Sequence, residues 1–163
     1  MVMDKQDGEQ KVTYKYQRRS TRIRGHDYTW TRAYFVTARA QTHDPIFETP
    51  ALHQILEETW DALPQRFPGV TLDAFVIMPD HVHFILWLNG LVKPAPTLGR
   101  VVGAYKSLVM VAWIRHCNSA HIYNGGSFWL SRFYDEVISG KDALESIRFY
   151  IHNNPAMLDS REG

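Results

Sequence analysis

Cysteine is almost absent: Cys117 is the single thiol in 163 residues. One thiol excludes an intramolecular disulfide framework and any multi-cysteine zinc or iron–sulfur site, and it suits a reducing cytoplasm. Long apolar runs are missing too. The longest, such as Phe84 to Leu88, are far too short to span a bilayer, and the opening MVMDKQDGEQ is polar. No signal peptide, membrane anchor or membrane partner is therefore expected. No internal repeat or low-complexity tract is visible. At 45% hydrophobic and 21% charged residues, the chain reads as one folded domain, with too little length for a second core.

Acidic residues are missing from two particular stretches. Lys11 to Arg24 carries six basic residues, Arg18, Arg19, Arg22 and Arg24 among them, and no acid; His81 to Tyr134 has no Asp or Glu at all. The acids collect elsewhere, especially between Asp44 and Asp73. The formal net charge of +1 hides this segregation. A local positive field of this kind is the electrostatic footprint of a polyanion binder, while the plainer reading is a solubilising tail.

Residues 1 to 28 are polar and basic, without helical or strand periodicity, and read as a flexible basic arm before a single domain over 29–163. Ala33 to Ala38 is a strand by its aromatic and β-branched content. Thr49-Pro50 starts a helix to about residue 63, ended before Pro64. Thr71 to Met78 and His81 to Leu88 form a hairpin about the Pro79-Asp80 turn. Thr97 caps a helix running to about 117, Phe133 to Ile138 is a fourth strand, and Asp142 caps a last helix that stops before Pro155. The order β-α-β-β-α-β-α predicts an α+β, ferredoxin-like split βαβ fold with a four-stranded antiparallel sheet and an added C-terminal helix.

His81-Val82-His83 lies on the third strand, where alternation turns both imidazoles to one side. Two such imidazoles can grip one metal ion; they can equally be sheet histidines with ordinary hydrogen-bond partners. Tyr150 and Asn154, four residues apart, share one face of the last helix. If that face covers the sheet, Asn154 can offer its carbonyl oxygen to the metal and Tyr150 a nucleophilic oxygen. The alternative is a half-buried core tyrosine and a helix-end asparagine.

Four segments, in order, resemble the single-strand tyrosine transposases of bacteria, and most closely the REP-associated tyrosine transposases. They are Leu72 to Leu88 (LDAFVIMPDHVHFILWL), Leu98 to Ser107 (LGRVVGAYKS), Trp129 to Ile138 (WLSRFYDEVI) and Tyr150 to Pro155 (YIHNNP). Arg18-Arg19-Ser20, Tyr28 and Tyr34 to Thr37 extend the likeness to roughly residues 18–156. The resemblance implies a ferredoxin-like fold of the HUH endonuclease superfamily, with His81 and His83 as the paired histidines. Tyr150 corresponds to the catalytic tyrosine and Asn154 to a polar metal-site residue one turn later. Glu136 stands where such proteins usually have histidine; its carboxylate can add a metal ligand, compete with phosphate or face solvent. The chain ends eight residues after Pro155, so DNA contacts from a longer tail are not expected.

The implied activity is metal-dependent nicking and joining of single-stranded DNA, in transposition or REP-element processing, through a 5′-phosphotyrosine. A divalent ion, Mg²⁺ or Mn²⁺, polarises the phosphate for attack. The partner is single-stranded or hairpin DNA, met as a monomer or a homodimer in a bacterial cytoplasm at the nucleoid. Lys106, Trp129, Phe133 and Arg132 are candidates to hold backbone and stack bases. Two other readings are a hairpin-binding protein descended from such enzymes with weakened catalysis, and a small metal-binding ferredoxin-like module.

Overall fold

The computed structural model describes residues 31–162. The expected basic arm over residues 1–28, with Arg18, Arg19, Arg22 and Arg24, lies outside the described residues.

Strands β1 (Arg32–Ala40), β2 (Val70–Ile77), β3 (His81–Leu88) and β4 (Trp129–Val137) form one antiparallel sheet in the order β2-β3-β1-β4. The first and third strands are central, as the split βαβ pattern requires. Helix α1 (Pro50–Asp61) opens with proline at its first position, where the missing N–H costs nothing, and the one-turn α2 (Leu63–Arg66) follows at once. Helix α3 (Leu98–Ala120) begins at Thr97, whose hydroxyl accepts from Arg100 N. Helix α4 spans Lys141–Glu162. Gly69 enters β2 at φ +93°, and a Cβ there would press on Val92 at 3.0 Å, so this turn needs glycine.

Several features differ from expectation. The helix expected to end before Pro64 is followed by α2, which takes Pro64 into its first turn, and the last helix starts at Lys141, so Asp142 lies in its first turn rather than at its cap. Strand β4 starts at Trp129, four residues before Phe133, because pairing resumes between Ala40 and Trp129 beyond an irregularity after Ala38. A 3-10 turn at Ile46–Glu48 buries Phe47 completely, a contact without local periodicity to announce it. Helix α4 does not stop before Pro155 but runs through it. Proline loses its N–H bond, crowds the carbonyl one turn back and restrains the residue before it, yet the buried Ile151, clustered with Phe35 and Ile85, holds the preceding turn on the sheet.

Strand alternation gives the sheet two faces. Val36, Ala38, Val82, Phe84 and Leu86 face α1 and α3, where Trp60 stacks on Phe75 and packs against Phe84 and Tyr105. Ala33, Phe35 and Ile85 face α4 and meet Ile147 and Ile151.

Candidate active site

The register places the polar residues of the sheet on the α4 face. Thr37 on β1 lies opposite His83 on β3 and opposite Tyr134 on β4, and Arg39 lies opposite His81. Directly paired residues share a face. The row Tyr134–Thr37–His83 therefore crosses three strands beside the row Glu136–Phe35–Ile85.

Both imidazoles are held from behind. His81 Nδ1 donates to Asp80 Oδ1 at 2.6 Å, and His83 Nδ1 shares a 2.8 Å hydrogen bond with the Thr37 hydroxyl. The two Nε2 atoms meet in a 3.1 Å hydrogen bond; with His81 Nδ1 donating to Asp80, a neutral His81 accepts there and His83 Nε2 donates, a proton that a bound cation would displace. Burial lowers the His81 pKa against the opposing pull of Asp80, and Arg39 adds to the lowering. His83, only 3% exposed, is pushed well below the usual histidine range by burial, then by His81 and Arg39. Neutral rings with a free Nε2 lone pair are the ligating form of histidine. Burial would raise Asp80, but the His81 hydrogen bond and the charges of His81 and Arg39 outweigh it and hold the carboxyl below its ordinary range.

Two nitrogens 3.1 Å apart subtend roughly 95° at one ion bound at about 2.1 Å, between octahedral and tetrahedral geometry. The pair therefore fits a divalent cation. Among the described residues no three His, Cys, Asp or Glu side chains gather into a metal-holding group. A third protein ligand to such an ion would have to be of another kind. Asn154, 8% exposed, has a buried Nδ2 with no hydrogen-bond partner. That orphan is an N–H donor and not a metal ligand; the atom of this side chain able to ligate is its oxygen, one turn after Tyr150 on α4.

Tyr150 is half-buried, its ring edge-on to His83 at 5.5 Å between centroids and to Phe35 at 6.3 Å. Helix α4 is fixed by more than its apolar side. Arg148, two residues before Tyr150, reaches Asp73 on β2 through Nε at 2.9 Å and NH2 at 2.5 Å, and Trp87 Nε1 donates to the same carboxylate at 2.8 Å. Burial would raise the Asp73 pKa, but the bonds from Arg148 and Trp87 and the Arg148 charge bring it below the usual value. Asp73 faces α4 by ordinary alternation from Leu72, which packs on the other side, and the bulge between Leu72 and Phe75 puts Ala74 on the α4 face as well.

The remaining candidates separate. Glu136 is on the site face, opposite Phe35, with a buried and unpartnered Oε2 and a carboxyl raised by burial, but it joins no three-residue cluster with the histidines. Trp129 is not a base-stacking surface: it is 4% exposed, packed against Phe47, Phe128 and Tyr105, with Nε1 donating to the Lys106 carbonyl. Lys106 is likewise turned inward, Nζ donating to the Leu130 carbonyl and lying 5.9 Å from the Trp129 ring centroid; burial lowers its pKa. Both belong to the α3 side of the sheet, away from the histidines, because the longer β4 draws Trp129 into that core. Arg132 on β4 is exposed. Asp80, Thr37, Asp73 and Arg148 were not among the sequence candidates. Asp80 directly before the His-x-His was the one local signal; the other three depend on register.

Comparison with known proteins agrees with this architecture. Residues 38–154 match the family described as "Transposase IS200 like". An uncharacterized protein of Haemophilus influenzae is 26% identical over 170 residues, covering 88% of this chain and 91% of its own. In fold, the chain is similar to a REP-associated tyrosine transposase bound to a REP hairpin, with a TM-score of 0.60 and 17% identity over 85% of this chain and 74% of that one. It is also similar to a protein of Deinococcus radiodurans described as a candidate transposase, with a TM-score of 0.52 and 20% identity over 82% and 97%. No helix among the described residues is long and apolar enough to cross a membrane.

Proposed function

The chain belongs to the IS200-like transposase family, and from that premise we propose that it nicks and rejoins single-stranded or hairpin DNA, with Tyr150 as the nucleophile. The observation that carries this reading is the approach of the Tyr150 ring to His83 on the face where the two Nε2 atoms converge. His81, His83 and Asn154 would hold a divalent ion, Mn²⁺ or Mg²⁺, which supplies charge to polarise a bound phosphodiester.

The chain's own groups account for the rest. Asp80 and Thr37 fix the tilt of the two imidazoles and leave Nε2 facing the site. Ile147 and Ile151, with the Arg148–Asp73 pair, fix the height of α4 over the sheet and so the distance of the Tyr150 hydroxyl from the histidines. That hydroxyl attacks phosphorus, gives up its proton, and displaces the 3′-oxygen of the neighbouring nucleotide. The products are a 5′-phosphotyrosine and a free 3′-hydroxyl. The ester energy is kept, so a 3′-hydroxyl of the same or another strand reverses the step and joins DNA without ATP. An unpaired or hairpin-bearing strand is the substrate on this reading, in keeping with the similar transposase bound to a REP hairpin. Such a reaction belongs at the nucleoid in the bacterial cytoplasm, carried out by a monomer or a homodimer.

One observation favours the second reading, a hairpin-binding protein with weakened catalysis. Glu136 places a carboxylate on the site face, and an ionised carboxylate repels phosphate. Incubation with a labelled hairpin-bearing single strand decides between them. The first reading predicts an SDS-resistant protein–DNA adduct that needs Mn²⁺ or Mg²⁺ and is lost with chelator. Tight binding without any adduct supports the second.

A further inference from the structure

The end of the sheet far from the histidines has a concave basic surface that the active site does not use. A cavity of about 150 Å³ lies between the Phe67 turn and the segment that leads into α3. It adjoins an open depression of about 500 Å³ along the first turns of α3. Arg66, Phe67 and Arg100 line both, Lys93 lines the first, and no acidic residue lines either. Among the described residues none of these three cations makes a side-chain hydrogen bond or ion pair, and all three are exposed. Phe67 is half-buried beneath them. At Gly103 an added Cβ would meet nothing within 4 Å, so the groove is open above the helix.

Cations without carboxylate partners around an aromatic ring, in a hollow large enough for a nucleotide, match the chemistry of an unpaired nucleic-acid strand. Phosphates satisfy the guanidinium and ammonium groups, and an unstacked base has a face to offer Phe67. A duplex has no free base face and does not enter a hollow of this size. Resting on the strand-transfer reading above, we propose that this groove is an auxiliary single-stranded DNA site, its phosphates on Arg66, Lys93 and Arg100 and one base against Phe67. The Val70–Leu88 pair beside it closes the far end of β3 from His81, seven residues or on the order of 23 Å away. The site therefore holds flanking strand rather than the reacting phosphate, and it adds affinity by tethering a second stretch of the same DNA.

Fluorescence anisotropy with a labelled, mixed-sequence single-stranded oligonucleotide tests this on the full chain. Arg66→Gln with Arg100→Gln should weaken binding roughly tenfold at low salt and flatten the log–log salt slope by about 1.4, two phosphate contacts at about 0.7 each. Gly103→Gln should fill the groove and weaken binding several-fold while the melting temperature holds or rises, since glycine is a poor helix former. Unchanged affinity and slope in both variants overturns the proposal, as does a wild-type chain that binds no single strand. The covalent adduct is scored in the same preparations. An adduct with unchanged variant binding removes the groove and leaves strand transfer standing; groove-dependent binding without an adduct supports the groove and removes strand transfer.

Discussion

On one side of the sheet, α1 and α3 cover a cluster of 18 buried residues among those described, from Phe47 through Trp60, Phe84 and Tyr105 to Trp129. On the other, α4 covers a cluster of six, and the strands beside it present His81, His83, Thr37, Glu136 and Tyr134. The same strands supply both faces, residue by residue in alternation, so β3 reads His81, His83 and Ile85 on one side and Val82, Phe84 and Leu86 on the other. Aromatic contacts of 4.8 to 6.5 Å tie the first face together around Trp60. The second is held at a few points, chiefly Ile147, Ile151 and the Arg148–Asp73 pair. A domain that stabilises itself through one face is free to place groups with poor packing value on the other.

Substitutions on each face can break that comparison. The largest stability effect belongs to Phe84→Ala: a fully buried ring lost from the packed face should cost about 3–5 kcal/mol in urea unfolding. A cost under about 1 kcal/mol would mean that the aromatic cluster does not carry the fold.

Asp73→Asn should cost less, about 1–2 kcal/mol, because Arg148 is 40% exposed and solvent screens the pair. The sign of its pH dependence is fixed. Asp73 has a depressed carboxyl in the folded chain, so its contribution is complete above the unfolded pKa and disappears as pH falls through the folded one. Wild-type stability should therefore decline in acid more steeply than that of the variant, and parallel profiles would contradict the assignment. The variant should also slow adduct formation, since α4 loses its polar anchor.

Tyr105→Phe should cost about 1 kcal/mol. Its hydroxyl, fully buried, donates to the Leu56 carbonyl at 3.0 Å, and burial raises its pKa well above the usual value. Smallest is His81→Ala, expected to change stability without metal by less than about 1 kcal/mol, since the cost of covering a ring that is 16% exposed offsets its bond to Asp80. On the proposed metal site, Mn²⁺ should raise the melting temperature of the wild type and leave that of this variant unchanged. Strong destabilisation without metal would place His81 in the structural core instead.

Much of this arrangement is legible locally. The Pro79-Asp80 turn and the largely apolar run after it mark β3 to its observed ends, and Thr97 marks the start of α3 through its own hydroxyl. Spacing puts His81 with His83, and Tyr150 with Asn154, each pair on one side of its element, but it is the four ordered segments of the resemblance that single them out. What spacing cannot show is which side of the sheet α4 takes, or that Thr37 backs His83 from 46 residues away. Asp73 is hidden for the same reason: alternation gives its face, but only the fold brings Arg148 to it from 75 residues away and Trp87 from the neighbouring strand. Trp129 misleads in the opposite direction. A tryptophan beside basic residues looks like a base-stacking surface until β4 is extended back to it and Ala40 becomes its partner.

The central claim, that the sparsely packed face does the chemistry through Tyr150, is tested most directly by locating the bond to DNA. Wild type and Tyr150→Phe are incubated with a hairpin-bearing single strand and Mn²⁺, digested, and the nucleotide-linked peptide is identified by mass spectrometry. The account predicts the 5′-phosphate on Tyr150 and no adduct from Tyr150→Phe, with DNA affinity nearly unchanged. An adduct on Tyr134 or any other residue, or one that persists in Tyr150→Phe, would contradict it.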